Sequence, residues 1–159
     1  MRRISLAIVG TAATMAAVFG FTSMAHAADN ERITGSSSFT DYSTCVDPVH
    51  VEGAYDEMMH TFYDTNGNAT RISFTGSVTI TYTDLVNGKT YSPNTSGPGT
   101  VDLAAGQVIL RGGNGAIFTD QGLLATDGRL VLDLDGNVIS ITGKQTGVCT
   151  ALGTTAAAP

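Results

Sequence analysis

Apolar and polar residues alternate strictly over residues 71–83. An alternation of period two is typical of a β-strand with one face on the core and the other in water. Gly76 interrupts the run, but the apolar parity is the same on both of its sides, so we interpret it as a bend within one strand. The inward set predicted by this pattern is Ile72, Phe74, Val78, Ile80 and Tyr82.

Turn dipeptides that end in glycine separate the apolar runs of the chain. Asn or Asp followed by Gly suits a type I′ hairpin turn, because both central residues of that turn need a positive φ. The five dipeptides are Asn66-Gly67, Asn87-Gly88, Asn114-Gly115, Asp127-Gly128 and Asp135-Gly136. We therefore predict an all-β fold built as an antiparallel meander.

The last two of these dipeptides predict one shared apolar face. If each is a two-residue hairpin loop, Leu130 lies opposite Ala125 and Ile141, and Leu132 lies opposite Leu123 and Ile139. Both turns then bring the same face inward. The predicted face comprises Leu123, Ala125, Leu130, Leu132, Leu134, Ile139 and Ile141.

Three other segments complete the assignment of elements. Residues 101–111 have the composition of a strand that breaks or turns at Gly106, and residues 91–100 are rich in Pro and Gly and predict a loop. Residues 54–64 fit either a strand or a helix, since their apolar side chains also match helical spacing. The turn and the strand that follow favour a strand.

The beginning of the chain has the features of an export signal. Arg2 and Arg3 are followed by an apolar stretch over residues 4–21 and by a small-residue cleavage site, Ala25-His26-Ala27. We expect a secreted, extracellular protein. The predicted organisation is a signal peptide (1–27), a flexible lead-in (28–44), a single β domain (45–150) and a flexible tail (151–159).

The two cysteines of the chain, Cys45 and Cys149, lie just before the first and just after the last predicted strand of the domain. An even pair in an exported protein predicts a disulfide bond. Such a bond would hold the two ends of the meander together. We therefore expect a closed or nearly closed small β-barrel, with a two-sheet β-sandwich as the alternative.

The acidic balance of the chain excludes several classes of partner. Removal of residues 1–27 would take away Arg2 and Arg3 and no acidic residue, so the net charge of −6 becomes about −8. Without a Lys or Arg cluster the chain cannot neutralise phosphates, which argues against nucleic acid and anionic membranes as partners. The sequence contains no second apolar span, so we expect no stable membrane insertion. We also expect a monomer.

Two segments resemble the start of a calcium loop, namely residues 64–68 and 133–137. Glycine stands at their fourth place, where an EF-hand loop has it at the sixth, and no glutamate closes either loop. Turn chemistry accounts for every residue type in them. We predict no metal site and no cofactor.

The hairpin at Asn66-Gly67 determines which polar side chain points inward. A loop of two or four residues pairs Gly76 with Glu57 and would direct Glu57 to the core, near Tyr55 and Tyr82. A three-residue loop would direct His60 inward instead. An inward carboxylate could orient a ligand or act as an acid or base, so Glu57 and His60 are the catalytic candidates.

The signal, the paired cysteines and the meander over residues 127–139 resemble small exported bacterial β-rich proteins that carry no assigned activity. The architecture is also similar to lipocalin and allene-oxide-cyclase barrels, although the chain has no Trp for the Gly-x-Trp motif of lipocalins. This resemblance implies an extracellular barrel and assigns no functional residue.

We expect a non-catalytic extracellular binding module for a small apolar or amphipathic ligand. A surface interaction protein, such as an envelope component or an inhibitor of another extracellular protein, is the alternative, acting through its exposed Ser and Thr row or the loop at 91–100. An enzyme that uses an inward carboxylate is a further alternative. The predicted ligand-binding residues are Tyr55, Glu57, Ile72, Phe74, Ile80, Tyr82, Leu130 and Leu132.

Overall fold

The computed structural model describes residues 30–119 and 122–157, which form eight β-strands and one short helix. The predicted signal peptide, residues 1–27, lies outside the described residues. The elements are β1 (Asn30–Asp41), β2 (Val49–Tyr63), β3 (Ala69–Asp84), β4 (Thr90–Tyr91), β5 (Gly99–Asp102), β6 (Gln107–Thr119), β7 (Gly122–Asp133), β8 (Val138–Gly147) and α1 (Val148–Leu152).

The strands form one antiparallel sheet in the order β1-β2-β3-β5-β6-β7-β8, with β4 paired to one end of β3. Every strand on this path lies beside its neighbour in sequence, apart from the short β4. The all-β antiparallel meander is therefore confirmed. Within the described residues the path begins at β1 and ends at β8, and no pairing joins these two strands.

The hairpin of β2 and β3 has the register predicted for a two- or four-residue loop. Glu57 pairs with Gly76, and Met59 pairs with Phe74. The segment over residues 54–64, which fitted either a strand or a helix, belongs to strand β2 as far as Tyr63. Glu57 is buried, whereas His60 lies on the opposite face of β2 with its ring centroid 5.1 Å from that of Phe62. The alternative in which His60 points inward is wrong.

Gly76 lies within an uninterrupted β3, as its unchanged apolar parity predicted. A Cβ at this position would overlap the backbone carbonyl oxygen of Asp56 on β2 and lie 2.6 Å from the Cα of Glu57. The two strands approach so closely here that only glycine fits without a backbone shift. This close approach fixes the position at which Glu57 enters the interior.

Three of the five glycine dipeptides form turns. Gly67, Gly88 and Gly136 have φ values of 82°, 72° and 86°, which are conformations that favour glycine. In two of these turns an aspartate lies two residues before the dipeptide. Asp64 accepts hydrogen bonds from the backbone amides of residues 66 and 68, and Asp133 accepts one from the backbone amide of residue 137. These bonds explain the residue types of the two segments that resemble calcium loops.

The turn bonds lower the pKa of Asp64 and Asp133. For Asp64 the largest cause is the backbone amide of Asn68, followed by the side-chain amide of the same residue. For Asp133 the side-chain amide of Asn137 comes first. Because the pKa is lower in the folded state, each carboxylate stabilises the fold above its unfolded pKa, and this stabilisation is lost as the pH falls through the lowered pKa.

Replacing Asn68 with alanine is expected to raise the pKa of Asp64 towards its ordinary value, since one of the amide donors is removed and the backbone donor stays. A carbon-13 NMR titration of the carboxyl groups measures this shift. Asp133 serves as the control in the same sample, and its pKa should not move. An unchanged pKa at Asp64 would show that the side chain of Asn68 does not contribute.

The other two dipeptides are not turns, which corrects the prediction for the C-terminal half. Asn114-Gly115 lies inside β6 and Asp127-Gly128 lies inside β7. Gly128 pairs with Gly112 on one side and with Gly143 on the other. A Cβ at Gly128 would overlap the carbonyl oxygen of Thr142, so glycine serves here for a close approach between strands.

The predicted single apolar face of the C-terminal half is therefore wrong in part. Leu130 does pair with Ile141, but a register shift pairs Leu132 with Val138 and not with Ile139. Leu134 and Ile139 are exposed. Since β7 does not turn at 127–128, its neighbouring residues are buried on both faces, with Leu123 and Ala125 in one cluster and Leu124 against the other.

The core has two clusters of buried side chains. One surrounds the disulfide bond and is called the disulfide cluster: Cys45, Val49, Val51, Ile80, Tyr82, Leu123, Ala125, Val148, Cys149 and Leu152. The other is called the strand cluster: Ile33, Phe74, Val101, Val108, Ile117, Leu130 and Leu132. Residues of one parity on β3 enter both clusters, so the clusters lie along the same face of that strand.

Both predicted ends of the domain need correction. The lead-in over 28–44 contains β1, which pairs with β2 over its whole length. Within the predicted tail, the described residues 151–157 continue α1 and then pair with the chain around Cys45: the backbone amide of Val46 donates to Thr155, and that of Ala157 donates to Thr44, both at 2.9 Å. The sequence of β1 shows little periodicity, so its pairing with the next strand could not be recognised. The partner of the tail is distant in sequence.

The disulfide bond between Cys45 and Cys149 is confirmed, with the two Cα atoms 5.5 Å apart. It joins the connection between β1 and β2 to α1, and both half-cystines are buried. Within the described ranges, no helix is long and apolar enough to cross a membrane.

Candidate functional site

A small, partly open cavity of about 60 Å³ lies where β2, β3 and β6 face the segment that connects β4 to β5. Its apolar wall consists of Phe74, Val78, Ile80 and Leu110. Its polar wall consists of Glu57, Thr95 and Asn114, which are exposed by only 6%, 6% and 7%. The cavity thus joins three buried polar side chains to an apolar surface.

Glu57 reaches the cavity because of the register between β2 and β3. It stands between Ile33 on β1 and Gly76 on β3 in the paired sheet. Because Gly76 has no side chain, Glu57 has no side-chain neighbour at the paired position on β3, although Ile33 stands opposite it on β1. Glu57 also interacts with another group of the protein.

Thr95 is held by hydrogen bonds between the β4–β5 connection and β3. Its hydroxyl donates to the carbonyl oxygen of Val78 at 2.6 Å, and the backbone amide of Val78 donates to the hydroxyl of Ser96 at 3.2 Å. The backbone amide of Arg111 on β6 donates to Pro98 at 3.0 Å. The connection therefore bridges β3 and β6, and over residues 92–98 it is the loop that its Pro and Gly content predicted.

Asn114 enters the cavity from β6, next to the irregular register between residues 114 and 117. Its side-chain nitrogen donates to the carbonyl oxygen of Gly112 at 3.1 Å. The surrounding glycines let the connection approach β6 closely, since a Cβ at Gly113 would overlap the carbonyl oxygen of Asn94. This approach brings Thr95 and Asn114 to the same cavity.

Three of the predicted ligand-binding residues line the cavity, namely Glu57, Phe74 and Ile80. The others lie in the core around it. Leu130 and Leu132 are in the strand cluster, which Tyr55 and Ile72 pack against. Tyr82 is in the disulfide cluster. The binding role of all eight residues stays a prediction, and so does any catalytic role of Glu57 and His60.

The sequence predicted that Glu57 lies near Tyr82, but along the sheet their backbones are far apart. Tyr82 pairs with Val51, six residues along β2 from Glu57, which corresponds to roughly 20 Å of strand. A Cβ at Gly115 would lie 2.9 Å from the hydroxyl oxygen of Tyr82. Because Gly115 lines the cavity, Tyr82 packs behind this part of its wall.

Sequence reasoning missed Thr95 and Asn114. Thr95 lies in a segment without periodicity, and Asn114 was assigned to a turn. A cluster of three glycines around Asn114, at positions 112, 113 and 115, is the one available signal, because such clusters can mark a close approach of backbones. It would have pointed to tight packing but not to its partner segment.

The size of the cavity limits what it can hold. An apolar cavity of roughly 150 Å³ accommodates benzene, and sites for drug-sized ligands span about 300–1,000 Å³. A volume of about 60 Å³ suits a group of a few heavy atoms. The cavity can therefore enclose the end of a ligand but not the whole of a lipocalin-sized one.

A wider and shallower groove of about 470 Å³ lies on the outer face of β1, β2 and β3. It includes part of the Ser and Thr row that the sequence placed in water. Two of its hydroxyls already bond within the protein: Thr79 donates to the carbonyl of Ala54 at 3.4 Å, and the hydroxyls of Thr81 and Ser92 are 3.0 Å apart. The groove is also lined by the hydroxyls of Ser36, Ser37 and Ser38 and by the carboxylate of Glu52.

Among the residues that the structure describes, no three His, Cys, Asp or Glu side chains gather in a way that could hold a metal ion. Comparisons of the chain with protein-family models, with curated proteins and with solved structures found no match.

Proposed function

We propose that this protein is a secreted, non-catalytic binding module that holds one end of a small amphipathic ligand in the cavity at Glu57. The observation that carries the proposal is the lining of the cavity, in which three buried polar side chains face an apolar wall. Ligand sites typically combine a mostly apolar surface with a few polar groups that fix orientation. The described lining contains one titratable side chain, which suits binding better than acid–base chemistry between two groups.

The proposal includes a sheet that curls into a nearly closed barrel around this interior. Phe39 on β1 and Phe118 on β6 have ring centroids 6.2 Å apart, although these strands are not neighbours in the sheet. Ile33 of β1 and Ile117 of β6 belong to the same cluster. These contacts support a curled sheet in which β1 packs against the inner face of β6. The disulfide bond supports an oxidising, extracellular location.

Replacing Gly99 with alanine is expected to raise the Kd for the ligand about tenfold, which corresponds to about 1.4 kcal/mol of binding free energy and lowers the bound fraction. The new Cβ would lie 3.0 Å from Leu110 and 3.7 Å from Phe74, which are both lining residues. These neighbours are side-chain atoms, so the fold can adjust while the cavity loses volume. Native mass spectrometry of protein purified from its own source measures the bound fraction of any retained small molecule.

Gly147→Ala is the matched control, because its Cβ would contact only Thr150 at 3.5 Å and lies away from the cavity lining. Gly147 has a φ of −67°, which alanine adopts readily. We expect this variant to retain as much ligand as the native chain. A native protein that carries no small molecule, or equal retention in both variants, would contradict the proposed function.

A further inference from the structure

We infer that the outer face of β6, β7 and β8 carries a second binding site, whose ligand is a phosphate dianion, either free or carried as a monoester by a small molecule. The site is centred on Arg111 and Arg129 and includes Lys144. It is separate from the cavity at Glu57 and does not rest on the proposed function, so either proposal can fail without the other.

The pairing of β6 with β7 places two arginines directly opposite each other, because Arg111 pairs with Arg129. The next residues in each strand towards the core side are Leu110, which lines the cavity, and Leu130, which belongs to the strand cluster. Both arginines therefore leave the sheet on its outer face, and both are exposed. Side chains at opposite positions have Cβ atoms about 4.5–5.5 Å apart, so the two guanidinium groups can contact one ligand together.

The neighbouring strand β8 adds a third cation. Lys144 pairs with Asp127, which lies two residues along β7 from Arg129 and therefore on the same outer face. Both Lys144 and Asp127 are exposed. The chain has no Lys or Arg cluster along its sequence, but strand pairing brings these three cations together from three different strands.

The two arginines have no carboxylate partner among the described residues. Arg32 shows the contrast, because its guanidinium binds both carboxylate oxygens of Asp56, at 2.8 and 2.7 Å. In the same part of the chain, neither Arg111 nor Arg129 forms an ion pair. Like charges directly opposite each other destabilise a pair of strands. An anion bound between the two guanidinium groups removes this repulsion.

The geometry of the guanidinium group favours a phosphate over a carboxylate. Each guanidinium presents its N–H donors as a planar fork that matches two oxygen atoms. A carboxylate has only two oxygens and is occupied by one fork. A phosphate monoester has three terminal oxygens and a charge of about −1.5 to −2 at pH 7, so it can accept hydrogen bonds from both forks and neutralise both charges.

The charge of the chain limits the size of the ligand. The outer face has three cations and the single carboxylate of Asp127, which gives a local charge of about +2, whereas the whole chain has a net charge of −6. A nucleic acid would be repelled by the rest of this acidic protein, and three cations neutralise only a few of its phosphates. A small molecule with one phosphate group matches the local charge.

The test titrates the full chain, with its disulfide formed, with methyl phosphate, inorganic phosphate or acetate at pH 7.5 and constant ionic strength. Binding is followed by NMR through the Nε–H signals of Arg111 and Arg129. We expect both phosphates to shift these signals to saturation and acetate to bind at least tenfold more weakly. Methyl phosphate that binds as tightly as inorganic phosphate, or more tightly, assigns an ester, and weaker binding assigns the free ion. Acetate bound as tightly as phosphate, or no saturable shift with either phosphate, would overturn the inference.

Arg129→Gln removes one fork and one charge from an exposed position, so we expect the affinity for methyl phosphate to fall at least tenfold. Arg129→Lys keeps the charge without the fork and should lose about threefold to tenfold. Arg111→Gln provides a second test if Arg129→Gln fails to fold, with the same expected loss.

Arg32→Gln is the matched control, because it removes the same side chain and the same charge from β1, where Arg32 pairs with Asp56. We expect its affinity for methyl phosphate to stay within twofold of that of the native chain. An equal loss in Arg32→Gln and Arg129→Gln would show that the phosphate responds only to the net charge of the protein. That result, or unchanged affinity in Arg129→Gln, would contradict a site between the two paired arginines.

Discussion

Replacing both Cys45 and Cys149 with alanine is expected to lower the free energy of unfolding by about 4–5 kcal/mol. The bond closes a loop with a sequence separation of 104 residues, so its loss restores much conformational freedom to the unfolded chain. Both half-cystines are also buried in the disulfide cluster, where removal of sulfur leaves empty space. Urea unfolding of the native and variant chains at the same pH measures the difference.

The native chain reduced by a phosphine is the control that separates the two causes. It loses the cross-link but keeps both sulfur atoms, so its loss of stability reports the entropic part alone. We expect most of the loss to appear there, with the alanine variant less stable again. A reduced chain as stable as the oxidised one would show that the pairing of residues 44–46 with 155–157 holds these ends together without the bond.

The hairpin of β2 and β3 could be predicted from sequence because all of its determinants are local. The turn at Asn66-Gly67 lies between two runs of period two, and only the loop length was open. Once Glu57 was paired with Gly76, the inward parity of both strands followed. The inward position of the carboxylate is therefore a consequence of the turn and the alternation together.

The C-terminal half could not be predicted in the same way, because glycine has two structural uses. In a hairpin turn it permits a positive φ, and inside a sheet it permits two backbones to approach. At Gly128 both uses apply inside a strand, because its φ is 155° and the backbone of its partner Gly143 on the next strand lies too close for a side chain. The apolar residues occupy odd positions at Leu123 and Ala125 and even positions at Leu130 and Leu132. This change is equally compatible with a hairpin and with a strand buried on both faces. No local pattern separates these alternatives.

The candidate site was predictable only on the side that belongs to the hairpin. Glu57 and Phe74 follow from its register. Thr95 and Asn114 come to the cavity through contacts between β3, the β4–β5 connection and β6, which are distant in sequence. Such contacts depend on close packing and leave no periodic signal in the chain.

Replacing Gly128 with alanine is expected to lower the free energy of unfolding by about 2–3 kcal/mol. The added Cβ would overlap the carbonyl oxygen of Thr142 and lie 2.9 Å from the Cα of Gly143. These are backbone atoms of β8, which cannot move aside as the end of a side chain can. The strands must separate, so we also expect faster amide hydrogen exchange over residues 140–145.

Gly67→Ala is the matched control, because Gly67 has a φ of 82° and no atom would lie within 4 Å of its Cβ. Its cost is backbone strain alone, about 1 kcal/mol, and it should leave hydrogen exchange in β8 unchanged. If Gly128 were part of a hairpin turn, the two variants would lose similar amounts of stability. A difference of about 1–2 kcal/mol between the two variants therefore distinguishes a close approach of neighbouring strands at Gly128 from the turn that the Asp127-Gly128 dipeptide predicts.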